Sequence, residues 1–202
     1  MNKNLTKNLT KNKFKLESKV LQKDFTKEYL SQNATMSPDL SWTPVTGAQC
    51  YAMVCFDPDS VRTSNFVHWI LQYIPKEITK IPSMPISRER IIKVENNEII
   101  QGKNGWGEYG YGGPQPPADK VHNYNFCLFA LSNIDKELQN ETQNYNKNAL
   151  NKLMETHILE TITLIVPYKK NSNNKSNNKS NNNKLGNNKG NNNKLGNNKR
   201  NN

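Results

Sequence analysis

Apolar and polar positions along this chain alternate with a period of two far more often than they recur at helical spacing, and that pattern predicts strands. Ordered structure is expected to begin near Phe14, where FKLES alternates. The stretch TMSPDLSWTPVTGAQ reads as a loop with two prolines and one large apolar anchor, Trp42. CYAMVCF (Cys50 to Phe56) is uncharged throughout, and its length suits a strand buried on both faces. Pro58 cannot continue a ladder, so this strand should end in the carboxylates of Asp57 and Asp59. FVHWILQYIP (Phe66 to Pro75) is a second apolar strand, with His68 beside Trp69 where a polar side chain is uncommon. Residues 76–90 read as loop, and IIKVENNEII as two short strands about a turn at Asn96-Asn97. Tyr124 to Leu131 forms another strand, and the period of two puts His122 and Tyr124 on one face. Ala149, Leu150, Leu153 and Met154 have the spacing of an amphipathic helix of about a dozen residues. Ile158 to Val166 is a last, β-branched strand. The expected class is mainly β, with two antiparallel sheets packed as a β-sandwich and one or two short helices.

At both ends this pattern disappears. KNLT units fill the start, and from Asn171 the chain is Asn, Lys, Ser and Gly with only Leu185 and Leu195 as apolar side chains. The expected division is a disordered lead-in over 1–13, a folded domain over 14–170, and a disordered Asn/Lys-rich tail over 171–202. This division changes the meaning of the formal net charge of +11. Residues 1–16 hold five Lys and residues 171–202 hold six Lys and one Arg, all without an acid, which leaves 16 basic against 17 acidic residues between them. The folded part is nearly neutral and carries no nucleic-acid footprint. Dilute terminal charge reads as compositional bias more than as a tether, and supports only weak peripheral contact with membranes. Cys50, Cys55 and Cys127 are odd in number, lack CxxC spacing and lie in apolar runs, as buried thiols of a reducing compartment do. With no long apolar run and no hydrophobic leader, a cytoplasmic monomer is expected.

Candidate chemistry concentrates in three stretches: DPDS (57–60), FVHW (66–69) and GYGGPQPPADKVHNY (110–124). Glycines 105, 107, 110, 112 and 113 with prolines 114, 116 and 117 should make a shaped loop able to aim backbone N–H groups at a ligand. Two imidazoles can donate to phosphate oxygens, a neighbouring carboxylate favours their protonation, and amides of a glycine-rich turn form an anion-binding concavity. In that arrangement Asp57 orients and charges a histidine or binds an amine, while Asp59 caps its own turn.

In order and spacing these stretches resemble the phosphatidylethanolamine-binding protein family, which includes the Raf kinase inhibitor proteins. MSPDLSW (36–42), GKNGWG (102–107) and METHILE (154–160) are similar to its short bacterial and archaeal members, and the resemblance covers about Phe14 to Tyr168. It implies a two-sheet fold with a small pocket for a phosphate-containing small molecule or phospholipid headgroup, lined by Asp57, His68, His122 and Tyr124. The backbone of Gly113 and Gln115 and the rings of Pro116 and Pro117 would form its wall, supported by Trp42, Asp59, Trp69 and Tyr111. It implies a non-catalytic regulator of a protein kinase, with no cofactor and no metal. The chain departs from the family in three places. Val61 stands where proline usually follows the small residue, so the expected cis peptide loses its basis. Asn123 replaces a cation near the pocket mouth, and the Asn/Lys tail replaces the helix that covers the pocket in mammalian members. Two other readings compete. One is a serine protease inhibitor that exposes Arg88 and Arg90. The other is a hydrolase or metal site on Asp57, His68 and His122, against which stand the missing GxSxG elbow and the lack of a serine beside either histidine motif. His157 is expected to be structural.

Overall fold

The long apolar runs become the centre of one antiparallel sheet. In the computed structural model, which describes residues 13–21, 26–133 and 154–170, these runs are β4 (Cys50–Asp57) and β5 (Phe66–Pro75). Short strands precede them: β1 (Leu16–Glu17), β2 (Met36–Ser37) and β3 (Leu40–Trp42), with a single 3-10 turn at Lys27–Tyr29. After them come β6 (Lys80–Ile81), β7 (Met84–Pro85), β8 (Ile91–Val94), β9 (Asn97–Gly102), β10 (Val121–Leu131) and β11 (Ile158–Lys169).

The main sheet has six strands in the order β11-β10-β4-β5-β9-β8, all neighbours antiparallel. A three-stranded sheet β1-β3-β6 and a ribbon β2-β7 complete the two-sheet architecture. The larger core lies where Leu16, Leu40, Trp42 and Ile81 of the small sheet meet Tyr51, Met53, Leu71, Phe126 and Leu128 of the large one. Cys50, Ala52, Val54 and Ile70 on the opposite face form a second buried cluster with Leu131 and Met154. β4 is therefore buried on both faces, as its uncharged run implied.

The structure corrects the pattern reading in several places. The stretch expected to be loop before residue 50 contains β2 and β3, and 76–90 contains β6 and β7. Two- and three-residue strands are too short to show alternation, and Pro85 sits in one of them. The β8–β9 turn is Glu95-Asn96, one residue earlier than expected, with Glu95 left-handed at φ 55°. Cys127 is half-buried, its Sγ 3.1 Å from Thr163 Oγ1, while Cys50 and Cys55 are buried as expected. No cis peptide occurs among the described residues. The expected helix lies outside them except for Met154, as do the terminal segments.

Candidate functional site

Antiparallel pairing brings three strand ends to one end of the main sheet. Asp57 at the close of β4 pairs with Phe66 at the opening of β5, and β10 enters beside β4 two residues after Asn123. His122 and Tyr124 face inward by the period of two. His68 arrives there by an irregularity. Cys55 pairs with Trp69 and Phe56 with Val67, so a β-bulge falls at His68 and buries it on the same side as Trp69.

These side chains line a cleft of about 280 Å³. Asp57 and His122 are both buried, and His122 Nδ1 donates to Asp57 Oδ2 at 2.7 Å. Asp57 Oδ1 accepts the Asp59 N–H at 2.9 Å, so the carboxylate is held from two sides. Asp59 does more than cap a turn: its Oδ2 accepts the Asn123 backbone N–H and side-chain Nδ2 at 2.8 and 3.1 Å, stapling the DPDS loop to β10. With Nδ1 committed, His122 has Nε2 left to offer a ligand.

His68 behaves differently. Its Nδ1 donates to the Gly112 carbonyl at 2.8 Å, and three rings stand edge-on to it: Tyr124 at 5.0 Å, Trp106 at 5.2 Å and Phe66 at 5.3 Å. Burial outweighs the favourable Gly112 carbonyl and Asp57 carboxylate and lowers its pKa to about 4. His68 is thus neutral at physiological pH, its Nε2 an acceptor. The expectation of two cationic donors therefore fails at His68, whose remaining ring nitrogen is an acceptor.

Tyr124 supplies a further donor. Its hydroxyl is buried with no acceptor in the protein for its proton. Burial, and then the Asp57 carboxylate, push the phenol well above its ordinary range, with the Gln115 amide acting the other way, so it stays protonated.

The glycine-rich loop departs most from expectation. Its amides serve the fold: Gly105 N–H donates to Val67 O, Gly112 N–H to His68 O, and Gly113 N–H to Ser31 O, at 2.8, 2.9 and 2.8 Å. β9 ends at Gly102, so the loop takes over pairing along the stretch of β5 that β9 leaves open. Gly113 therefore does not line the cleft. Gln115, Pro116 and Pro117 do. Asn104, inside the GKNGWG stretch but assigned no role there, ties the loop together. Its Oδ1 accepts the Trp106 and Glu108 amides and its Nδ2 donates to Gly110 O. Gly112 lets the Trp106 ring close over the site, since a Cβ there would lie 2.3 Å from that ring.

Of the supporting residues, Trp42, Trp69 and Tyr111 belong to the core. Trp69 donates to Gln101 Oε1 at 2.9 Å and stands edge-on to Tyr111 at 5.8 Å, while Trp42 packs on Tyr51. Ser60, Phe66 and Trp106 stand inside the motif stretches but were not named as site residues, and Val61, Arg62 and Lys170 lie outside them; all six line the cleft. Arg62 and Lys170 provide the cations that Asn123 does not. Neither has a motif, because one lies in an irregular loop and the other at the end of β11.

The family model of the phosphatidylethanolamine-binding protein matches residues 10–169. The chain belongs to the phosphatidylethanolamine-binding protein family. It is 36% identical over 149 residues to a UPF0098 protein of Chlamydia pneumoniae, covering 70% of this chain and 88% of that one. To the UPF0098 protein YbcL of Escherichia coli it is 34% identical over 102 residues, 50% and 55% of the respective chains. Among solved structures, a putative phosphatidylethanolamine-binding protein homologue from Chlamydia trachomatis superposes with TM-score 0.63 at 26% identity, covering 79% of this chain and 99% of that one. YbcL, described as a member of the mammalian family, gives TM-score 0.62 at 23% identity, covering 78% and 98%. Phosphatidylethanolamine-binding protein membership makes this a binding protein of that type, with the mainly β, antiparallel fold expected of it.

The competing uses of the site meet particular obstacles. Arg88 is no free reactive-loop side chain: it donates to Tyr109 O at 2.8 Å and Gln32 O at 3.2 Å and lies 3.5 Å from Glu108. Among the described residues, no three His, Cys, Asp or Glu side chains are grouped as metal ligands would be. Ser60, at the end of the DPDS stretch, shares the cleft with His122, and its Oγ accepts the Arg62 N–H at 3.3 Å. No described helix is long and apolar enough to cross a membrane.

Proposed function

We propose that the cleft binds an anionic, phosphate-like group carried by a phospholipid headgroup of the phosphatidylethanolamine kind, without turning it over, and that occupancy regulates a protein partner of the kinase class. The observation that carries this reading is an imidazole held in place by a carboxylate, His122 by Asp57 at 2.7 Å, in the same cleft as a buried Tyr124 hydroxyl whose proton meets no acceptor in the protein. A buried hydroxyl whose proton has no acceptor costs about 1–3 kcal/mol, which a ligand oxygen would recover. Arg62 and Lys170 supply the charge that attracts an anion, and His68 Nε2 accepts from a P–OH or ammonium group.

Titration of phosphoethanolamine by calorimetry tests this. Weak binding is expected, with His122→Ala and Tyr124→Phe each weakening it by about tenfold or more, since a charge-assisted hydrogen bond contributes about 1.5–3 kcal/mol. Unchanged affinity in both variants would remove the site assignment. The presence of Ser60 in the same cleft as the Asp57–His122 couple gives a hydrolase reading one foothold. Turnover of a chromogenic ester, abolished by Ser60→Ala, would establish it. No turnover above that of the His122→Ala protein is expected.

A further inference from the structure

We propose that the cleft admits an oxyanion only together with a hydrogen-bond donor of the ligand's own, and that His68 is the residue that selects for it. This rests on the anion-site reading above and narrows its ligand to one chemistry with two sources: an anion bearing an O–H, as hydrogen phosphate does, or an anion with an ammonium beside it. Anions whose oxygens are all bare, such as sulfate, are disfavoured.

The selectivity follows from which His68 nitrogen is left for the ligand. A carbonyl oxygen can only accept, so the Nδ1 that lies 2.8 Å from Gly112 O carries the ring's hydrogen and Nε2 keeps a lone pair. The Gly112 N–H donates in turn to His68 O at 2.9 Å, which holds the two residues side by side, and turning the ring over would break the side-chain bond. Among the described residues none donates to Nε2. Phe66, Trp106 and Tyr124 stand edge-on around the ring, but Phe66 has no polar atom, and neither the Trp106 N–H nor the Tyr124 O–H finds an acceptor. Asp57, His122, Arg62 and Lys170 are the charged or titratable groups that share the cleft, and burial keeps His68 neutral among them.

A ligand oxygen without a hydrogen sets its lone pairs against that of a buried Nε2. His122 and Tyr124 suit any oxyanion alike. Asp57, the other acceptor, already has each oxygen engaged, one by His122 and one by the Asp59 N–H. Discrimination therefore falls to His68. A site built to hydrogen-bond a ligand's O–H or N–H rejects the analogue that lacks it, because its own buried group is left unpaired.

The test is calorimetry on the full chain with two pairs of ligands. At about pH 8 hydrogen phosphate and sulfate are both tetrahedral dianions and differ by one hydrogen, while phosphoethanolamine and ethyl phosphate both carry a dianionic phosphate and differ by the ammonium. The wild type should bind the first member of at least one pair about tenfold or more tightly than the second. Preference in the first pair names the O–H as the donor, and preference in the second names the ammonium. His68→Phe keeps a ring without the acceptor and should bind both members of the preferred pair alike. A preference that survives this substitution belongs to another group and overturns the assignment. Equal affinity within both pairs in the wild type overturns the selectivity and leaves the anion site standing, whether or not the variant folds. A wild type that binds none of these ligands removes the anion site and the selectivity with it.

Discussion

His68 shows how one residue's environment decides its role. A histidine in an apolar strand could be a donor, a ligand to a metal or a core residue. Here the Gly112 carbonyl fixes its tautomer and burial keeps it neutral, with a pKa lowered to about 4. An unfolded histidine takes up its proton near 6.5, so between that pH and about 4 the unfolded chain binds a proton that the folded one refuses. The stability tied to neutral His68 is present above pH 6.5 and drains away on acidification, by up to about 3 kcal/mol near pH 4. Thermal melts at pH 7 and pH 4.5 should show the wild type losing more stability than His68→Gln. Equal losses would mean that His68 is not held neutral. Among residues, His122, Tyr124 and Asp57 were legible because they stand in motifs, whereas Arg62 and Lys170 were not: a cation at a pocket mouth leaves no trace in spacing.

Among elements, the glycine-rich loop matters for where it runs rather than for what it offers. Gly113 passes so close to the 3-10 turn that a Cβ would lie 1.9 Å from Tyr29 O, whereas a Cβ at Gly107, with φ +80°, would touch nothing. Gly113→Ala must displace backbone, and the Pro114–Pro117 wall behind it, at a cost of about 1–3 kcal/mol. Gly107→Ala meets only the left-handed backbone penalty, about 1 kcal/mol. Chemical denaturation should rank the two in that order, and the reverse order would contradict the loop's path. Long strands were readable because β4, β5 and β10 hold enough residues for a pattern to repeat. The two-residue strands were not, and neither was the bulge at His68, since a bulge depends on the register between two strands rather than on either sequence.

For the whole molecule, the charge belongs to the ends and the chemistry to the middle. Removal of residues 171–202 should leave the melting temperature and phosphoethanolamine affinity unchanged and lower partition onto phosphatidylserine vesicles only modestly, with the difference erased at high salt. Calorimetry and sedimentation of the truncated protein check this, and a lower melting temperature would show that the tail packs on the domain. The two-sheet fold was legible at this scale from strand count and from the three ordered motifs. The partition of the core into two clusters, on either face of the main sheet, became visible only with the sheet order.

The central claim, that His122 set against Asp57 is the anion-binding group, meets its most direct test in sulfate affinity measured across pH. Sulfate keeps its charge over this range, so any change belongs to the protein. His68 is neutral throughout, which leaves His122 as the cleft histidine able to gain a proton. Affinity in the wild type should rise as pH falls from about 8 to 6, because a protonated imidazole donates from both nitrogens, and should be weak and flat in His122→Ala. A pH-independent wild type, or a variant that keeps the rise, would contradict the account.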